Sequence, residues 1–168
     1  MRDKALRPHI KLLLRMLDEA YDRASWHGPN LRGALRGVGA PAAAWRPARG
    51  RHNIWELVVH AAYWKYAVRR RLRGDKRGSF PHTGSNWFAR PVAAPDEKAW
   101  RQDVALLEQQ HRTLRATVAT LSEAGLHQPA ARSKSTPWTL IHGIACHDVY
   151  HAGQIQLLKR LRRKGRRR

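Results

Sequence analysis

Hydrophobic residues recur at helical spacing in four stretches of the chain, which are separated by segments rich in Gly and Pro. The first stretch, from about Lys4 to Ala24, carries apolar or aromatic residues at intervals that place them on one helix face: Ile10, Leu13, Leu14, Leu17 and Tyr21. Breakers at residues 25–30 end this helix. A shorter helical piece is predicted from Leu31 to Val38, and residues 39–50 are predicted to be a connector.

The second helix has clear signals at both ends. Asn53 is a favourable N-cap, and Glu56, three residues later, can reach back to complete a capping box. The helix is predicted from Ile54 to Leu72, with Gly74 just beyond its C-terminal end. Its inward stripe consists of residues at helical spacing: Leu57, Ala61, Trp64 and Val68. His60 lies at the edge of this stripe.

Two further helices follow. The third begins near Asp96 and ends before Gly125, and its core-facing positions alternate in steps of four and three: Trp100, Val104, Leu107, His111, Leu114, Val118 and Leu121. The fourth has Thr136 as N-cap, Pro137 at its first position and an end near Leu161. Four amphipathic helices without a convincing strand predict an all-α protein with the architecture of a four-helix bundle.

The connection between the second and third helices, from Asp75 to Pro95, is long for a compact domain. It can run the full length of a bundle, so the helices on either side of it could lie parallel. Long connections of this kind tend to be functional. Trp87 and Phe88 within it are predicted to cover the mouth of a site.

The fourth helix carries the residues that point to chemistry. His147 and His151 occupy the stripe defined by its apolar positions, which are Leu140, Ile144, Ile155 and Leu158. Four residues are about one helical turn, so both imidazoles project toward the same point. Buried histidines must be neutral and hydrogen-bonded, or must bind something, and a divalent metal suits this spacing. His60 is the candidate third ligand, from a different helix.

Three imidazoles leave open coordination positions on a metal ion, as in catalytic sites. Imidazole ligands suit Zn, Ni, Fe(II) or Cu, and a metal so held can lower the pKa of a bound water or thiol. Asp148 and Gln154 are candidate supporting partners, although the helical turn carries Asp148 away from the histidine face. His111 could be a supporting group or a fourth ligand, but a hydrogen-bonded core or boundary histidine is the favoured interpretation.

Other catalytic designs are excluded. A di-iron bundle needs two Glu-x-x-His pairs and further inward Glu residues, and only Glu108 with His111 fits such a pair. Gly-rich phosphate loops and the Gly-x-Ser-x-Gly nucleophile elbow are absent.

The composition restricts the number of domains and the expected location of the protein. A chain of 168 residues, 42% of them hydrophobic, fits one folded domain, predicted for residues 1–161. No apolar run approaches the roughly 20 residues that span a bilayer, and the N-terminus lacks the apolar segment of a secretory signal. The single cysteine, Cys146, agrees with a reducing compartment, so a cytoplasmic location is expected.

The net charge of +21 is extreme. Eight of the last ten residues are Lys or Arg, and residues 162–168 are predicted to form a disordered basic tail. Such a tail could contact nucleic acid without sequence preference, or could simply be a solubilising end.

Two segments carry a resemblance to a known family: Ile54-Trp55-Glu56-Leu57-Val58-Val59-His60 and Gly143-Ile144-Ala145-Cys146-His147-Asp148-Val149-Tyr150-His151-Ala152-Gly153-Gln154-Ile155. Together they resemble the DinB/YfiT-like metalloenzymes, over a likeness that extends from the first helix to Leu161. The resemblance implies a bundle with up-down-down-up connectivity and a three-histidine metal site at His60, His147 and His151. It also implies a homodimer and Ni or Zn in the site.

Some members of this family are S-transferases or isomerases that use a low-molecular-weight thiol such as mycothiol or bacillithiol. The first hypothesis is therefore a metal-dependent enzyme, thiol-dependent or hydrolase-like, that acts on a small molecule. Four side chains are candidates to line its pocket: Tyr63, Trp64, His111 and Tyr150. The alternatives are a non-specific nucleic-acid-binding protein and a bundle in which the metal serves stability alone.

Overall fold

The computed structural model describes residues 8–78, 80–90, 94–129 and 133–165. These residues contain six α-helices, one short 3-10 helix at Ala124–His127 and no β-strand, which confirms the all-α fold class. The α-helices have the following bounds: α1 Pro8–Tyr21, α2 Leu31–Ala34, α3 Ala40–Ala44, α4 Ile54–Arg73, α5 Glu97–Thr120 and α6 Pro137–Gly165. Within the described residues, no helix is both long and apolar enough to cross a membrane.

The four long helices form a bundle. α1 packs against α5 and α6, and α4 packs against the same two helices, while α2 lies on α6 and α3 on α4. α1 is antiparallel to α5, since His9 at its start bonds to Glu123 just past the end of α5. α6 is antiparallel to α4, because residues that follow His60 along α4 contact residues that precede His151 along α6.

α4 and α5 run in the same direction. Near their starts, the Trp55 indole nitrogen donates a 2.7 Å hydrogen bond to Asp103. Further along both helices, Lys65 and His111 contact the same ring, that of Tyr21. Two consecutive long helices can be parallel only if the connection between them returns along the bundle. The order of these contacts is the one expected of an up-down-down-up arrangement.

The ends of α4 form as their sequence signals predict. The Asn53 side chain accepts a hydrogen bond from the Glu56 amide at 2.8 Å, and the Glu56 carboxylate accepts one from the Asn53 amide at 3.4 Å. Gly74 follows the helix with φ 73°, and its amide bonds back to carbonyls of the last turn. This left-handed conformation is one that glycine adopts without a steric cost.

Three helical segments differ from the sequence expectations. Residues 39–50 contain a short helix, α3, where a connector was predicted, because alanines favour helix and Pro41 suits its first turn. α2 ends at Ala34 and is shorter than predicted. α6 continues through Arg162 to Gly165, four residues into the segment predicted as a disordered tail, since Lys and Arg favour a helix C-terminus. Residues 166–168 lie outside the described residues.

A buried ion pair joins α4 to α6 in the bundle interior. Lys65 and Asp148 are fully buried and bond to each other, and the Lys65 ammonium lies 5.1 Å from the centre of the Tyr21 ring. Burial raises the pKa of Asp148, and the adjacent ammonium opposes that rise. Asp148 therefore supports the α4–α6 contact, and among the described residues its side chain makes no hydrogen bond to a histidine.

This pair predicts an asymmetric mutational response. Asp148→Asn leaves the Lys65 ammonium buried without its counter-charge, so we expect the free energy of unfolding to fall by about 3–5 kcal/mol. The apolar double variant Lys65→Met/Asp148→Leu should lose much less. Asp75→Asn is the matched control, because its ion pair with Arg73 is exposed and should contribute less than about 1 kcal/mol. Urea unfolding followed by circular dichroism measures all three, and an Asp148→Asn midpoint equal to that of the wild type would contradict the prediction.

Candidate metal centre

Three histidine ring nitrogens meet between α4 and α6. The Nε2 atom of His147 lies 3.1 Å from Nε2 of His60 and 3.0 Å from Nε2 of His151. One nitrogen from each ring lies within 4.8 Å of the other two, an arrangement that could hold a metal ion. The structure thus brings together the three histidines that helical spacing selected.

Helix geometry on α6 and one long-range helix contact position these rings. His147 and His151 are one turn apart on α6, so their rings project from the same face. His60 lies in the second turn of α4 and reaches them because the two helices pack antiparallel. His60 and His151 are buried and His147 is half-buried, so the cluster is largely shielded from solvent.

The outer nitrogens of two rings are held by oxygen acceptors. Nδ1 of His60 lies 2.8 Å from the backbone carbonyl oxygen of Asn86, and Nδ1 of His151 lies 2.7 Å from Oε1 of Gln154. A carbonyl oxygen only accepts, so each Nδ1 carries the proton and each Nε2 presents a lone pair to the centre. This arrangement is common for histidines that bind metals. Gln154 therefore supports the ring of His151, a role for which the sequence made it a candidate.

The ring of His147 completes a set of three nitrogen ligands that fits a cation. Nδ1 of His147 is buried and has no hydrogen-bond partner among the described residues, while its Nε2 faces both other lone pairs. One proton on this Nε2 could satisfy only one neighbour well. Two nitrogens bound to one ion at about 2.0–2.1 Å lie about 2.8–3.4 Å apart for angles from 90° to tetrahedral. The observed separations of 3.0 and 3.1 Å fall in that range.

Burial keeps these rings neutral, as metal ligation requires. It lowers the pKa of His60 to about 4 and that of His147 to about 3, and it also lowers the pKa of His151. An unfolded histidine titrates near pH 6.5. The unfolded chain therefore binds more protons below that pH. The stability of the metal-free fold is lost progressively as pH falls from about 6.5 through the folded pKa values.

Trp87 covers one side of the cluster. Its indole is stacked on the His60 ring, with ring centres 3.9 Å apart, and on the His52 ring on its other face at 3.6 Å. The preceding residue, Asn86, has φ 66°, a left-handed conformation that Asn tolerates better than most residues. Besides its carbonyl bond to His60, its side-chain oxygen accepts a 2.9 Å hydrogen bond from the Trp64 indole.

Asn86 and His52 are site residues that sequence reasoning missed. Asn86 lies in the long connection and His52 lies in the loop before α4. Helical periodicity makes no prediction for either segment. The signal for Asn86 was its position after Gly84 and Ser85, in a segment whose composition favours turns. No comparable signal marked His52.

The other aromatic candidates are divided between the site and the core. Phe88 is only 5% exposed and packs near Tyr63 in the main hydrophobic core, so its predicted place at the site mouth is wrong. Tyr63 faces this same core and not the histidines. Trp64 lies beside the cluster, with its ring centre 6.3 Å from that of His60. Tyr150 is exposed and lines a pocket next to His151.

His111 lies apart from the three-histidine cluster and is not a fourth ligand. It is buried and stacked on the Tyr21 ring at 3.8 Å, as a core histidine would be. The expected hydrogen bond is absent at Nδ1, which has no partner among the described residues. Burial, together with the nearby Lys65 ammonium, lowers the pKa of His111 to about 3.

Comparison with known proteins supplies the family. The model of the DinB superfamily matches residues 9–155, a range that contains all three histidines of the cluster. No curated protein and no solved structure matches the chain. Since the match spans most of the chain and includes the site, this protein belongs to the DinB superfamily.

Proposed function

We propose that His60, His147 and His151 bind one divalent metal ion and that the protein is a metal-dependent enzyme acting on a small molecule. The observation that carries this proposal is the convergence of three imidazoles, with Nε2 of His147 at 3.0–3.1 Å from Nε2 of each of the other two. Three neutral nitrogen ligands suit Zn, Ni or Fe(II) and leave positions open for a substrate.

The surrounding residues have roles consistent with such a site. Asn86 and Gln154 hold the rings of His60 and His151 in the orientation that directs Nε2 inward. Trp87 covers the His60 ring and keeps water from that side. When bound, the metal supplies Lewis acidity, which would lower the pKa of a coordinated water or thiol. Thiol transfer from a low-molecular-weight thiol is the reaction class we favour, with a hydrolase-like reaction as the alternative.

A second candidate function is non-specific binding of a polyanion such as nucleic acid. The Lys159 ammonium donates 2.9 Å hydrogen bonds to the carbonyls of Ala34 and Arg36, which fixes the basic end of α6 against the C-terminal end of α2. Burial lowers the pKa of Lys159, and the nearby charges of Arg163 and Arg36 lower it further. These three like charges form a basic face that an anion would stabilise.

Metal content tests the main proposal. We expect protein purified without a histidine tag to carry about one divalent ion per chain, and His60→Ala, His147→Ala and His151→Ala each to lose most of it. His142→Ala is the matched control, because His142 is exposed on the same helix. Since burial keeps the ligand rings neutral, metal affinity should change little between pH 8 and pH 6.

Elemental analysis by mass spectrometry gives the metal content, and melting curves with and without chelator give its effect on stability. Wild-type protein without stoichiometric metal, together with unchanged melting of His147→Ala, would refute the proposal. Chelator-induced unfolding with no turnover of any substrate would favour a metal that serves stability alone.

The two aromatic residues of the long connection should respond differently to truncation. Trp87→Ala uncovers the His60 ring, so we expect a chelator to remove the metal faster while the fold is largely retained. Phe88→Ala opens a cavity in the core and should lower the free energy of unfolding by about 3–5 kcal/mol. Stopped-flow chelation and urea unfolding measure the two effects. Equal chelation rates in Trp87→Ala and wild type would show that Trp87 does not shield the metal from the chelator.

The basic face predicts a salt-dependent interaction. The double variant Arg36→Gln/Arg163→Gln should bind labelled duplex DNA more weakly and reduce the slope of log affinity against log salt by about 2. Arg101→Gln/Arg112→Gln is the control, since it changes the charge equally at exposed residues of α5 that are already paired with glutamates. Fluorescence anisotropy at several salt concentrations measures binding. Equal losses in the two double variants would show that this face has no special role.

A further inference from the structure

An apolar pocket of about 580 Å³ opens directly beside the histidine cluster. Its lining includes His151, a member of the cluster, and Trp87, which is stacked on His60. Leu57, Leu158 and Leu161 form much of the rest of the wall. Pockets of 300–1,000 Å³ are typical of small-molecule sites. Because His151 belongs to both features, the pocket adjoins the proposed metal centre.

Exposed apolar side chains are concentrated at this pocket. Tyr150 is 63% exposed, Leu157 57% and Leu161 41%, and all three line it together with Trp87. Of the six large hydrophobic residues exposed in the described part of the chain, these are four. A contiguous apolar patch on a protein surface usually marks a binding site, whereas scattered single residues do not.

The polarity of the pocket changes along α6. Its polar residues on this helix, His151 and Gln154, come first, and the leucines at 157, 158 and 161 follow. From residue 151 to residue 161 the helix rises by about 15 Å. On this helix, a bound molecule would meet nitrogen and oxygen atoms at residues 151–154 and leucine side chains at residues 157–161, while Arg51 and His52 line the pocket from the loop before α4.

We propose that this pocket receives the alkyl chain or aromatic ring of an amphiphilic small molecule whose polar end coordinates the metal. The inference rests on the proposed metal site, because the ion anchors the polar end. The substrate class is therefore a small molecule with a metal-binding head and an apolar tail. Leu157 is a specificity residue in this account, since its exposed side chain is available to contact the tail and does not support the core.

A series of straight-chain hydroxamic acids tests this inference on the zinc-loaded protein. Acetohydroxamic, butanohydroxamic, hexanohydroxamic and octanohydroxamic acids share one chelating head and differ only in the tail. We expect affinity, measured by calorimetry, to rise by about two- to fourfold per methylene as the tail enters the pocket. Leu157→Gln should flatten this dependence on chain length.

Leu12→Gln is the matched control for Leu157→Gln. Leu12 is 48% exposed on α1 and does not line the pocket, so its replacement should leave the chain-length dependence unchanged. Both variants replace an exposed helical leucine, and circular dichroism and light scattering report whether either alters the fold or the oligomeric state.

Different outcomes separate the two proposals. Equal affinity for all four hydroxamic acids would leave the metal site intact and overturn the pocket inference. If wild type took up no more zinc than His147→Ala, the metal site would be refuted and with it the anchor that the pocket requires. Zinc uptake without binding of any hydroxamic acid would overturn the pocket inference alone. If Leu157→Gln dissociated an oligomer without changing the chain-length dependence, the patch would be a contact between copies of the chain, and the inference would be wrong.

Discussion

The structure depends on three imidazole lone pairs that face one another across the interface of α4 and α6. Such an arrangement is unfavourable unless a cation occupies the centre, because a proton on Nε2 of His147 could satisfy only one of its two neighbours. The protein nevertheless fixes it, with carbonyl oxygens of Asn86 and Gln154 holding the protons of two rings on the outer nitrogens. The surrounding fold therefore selects the protonation state that a metal ion needs.

Two other features of the bundle hold this arrangement in place. The buried pair of Lys65 and Asp148 joins the same two helices within about one turn of the histidines and leaves few alternative registers for α4 against α6. A misaligned pair would bury two separated charges, which is costly. On the other side, the long connection after α4 returns along the bundle and places Trp87 on the His60 ring. The site thus combines a fixed helix interface with a covering residue from a loop.

The parts of this account that sequence could predict are those encoded locally. The capping box at Asn53 and the left-handed Gly74 follow from residues within one turn of each helix end. His147 and His151 were found because helical periodicity places them on one face, and His60 because it borders a similar stripe. The short helix α3 was not predicted, since the Pro and Gly residues of its segment indicate a connector more strongly than its alanines indicate a helix.

The remaining features depend on contacts between distant segments. Lys65 and Asp148 look like ordinary surface charges until the antiparallel packing of α4 and α6 brings them together. Likewise, nothing near Trp87 in the sequence indicates that it stacks between His52 and His60. Phe88, its neighbour, packs instead into the core against Phe80 and against Tyr63, which is likewise distant in sequence.

The most direct test of the central claim is a crystal structure of the metal-loaded protein with anomalous diffraction recorded at the absorption edge of the metal. The account predicts one anomalous peak at the centre of the cluster, about 2.0–2.1 Å from Nε2 of His60, His147 and His151. A peak bound elsewhere, or a cluster with no peak after metal loading, would contradict it.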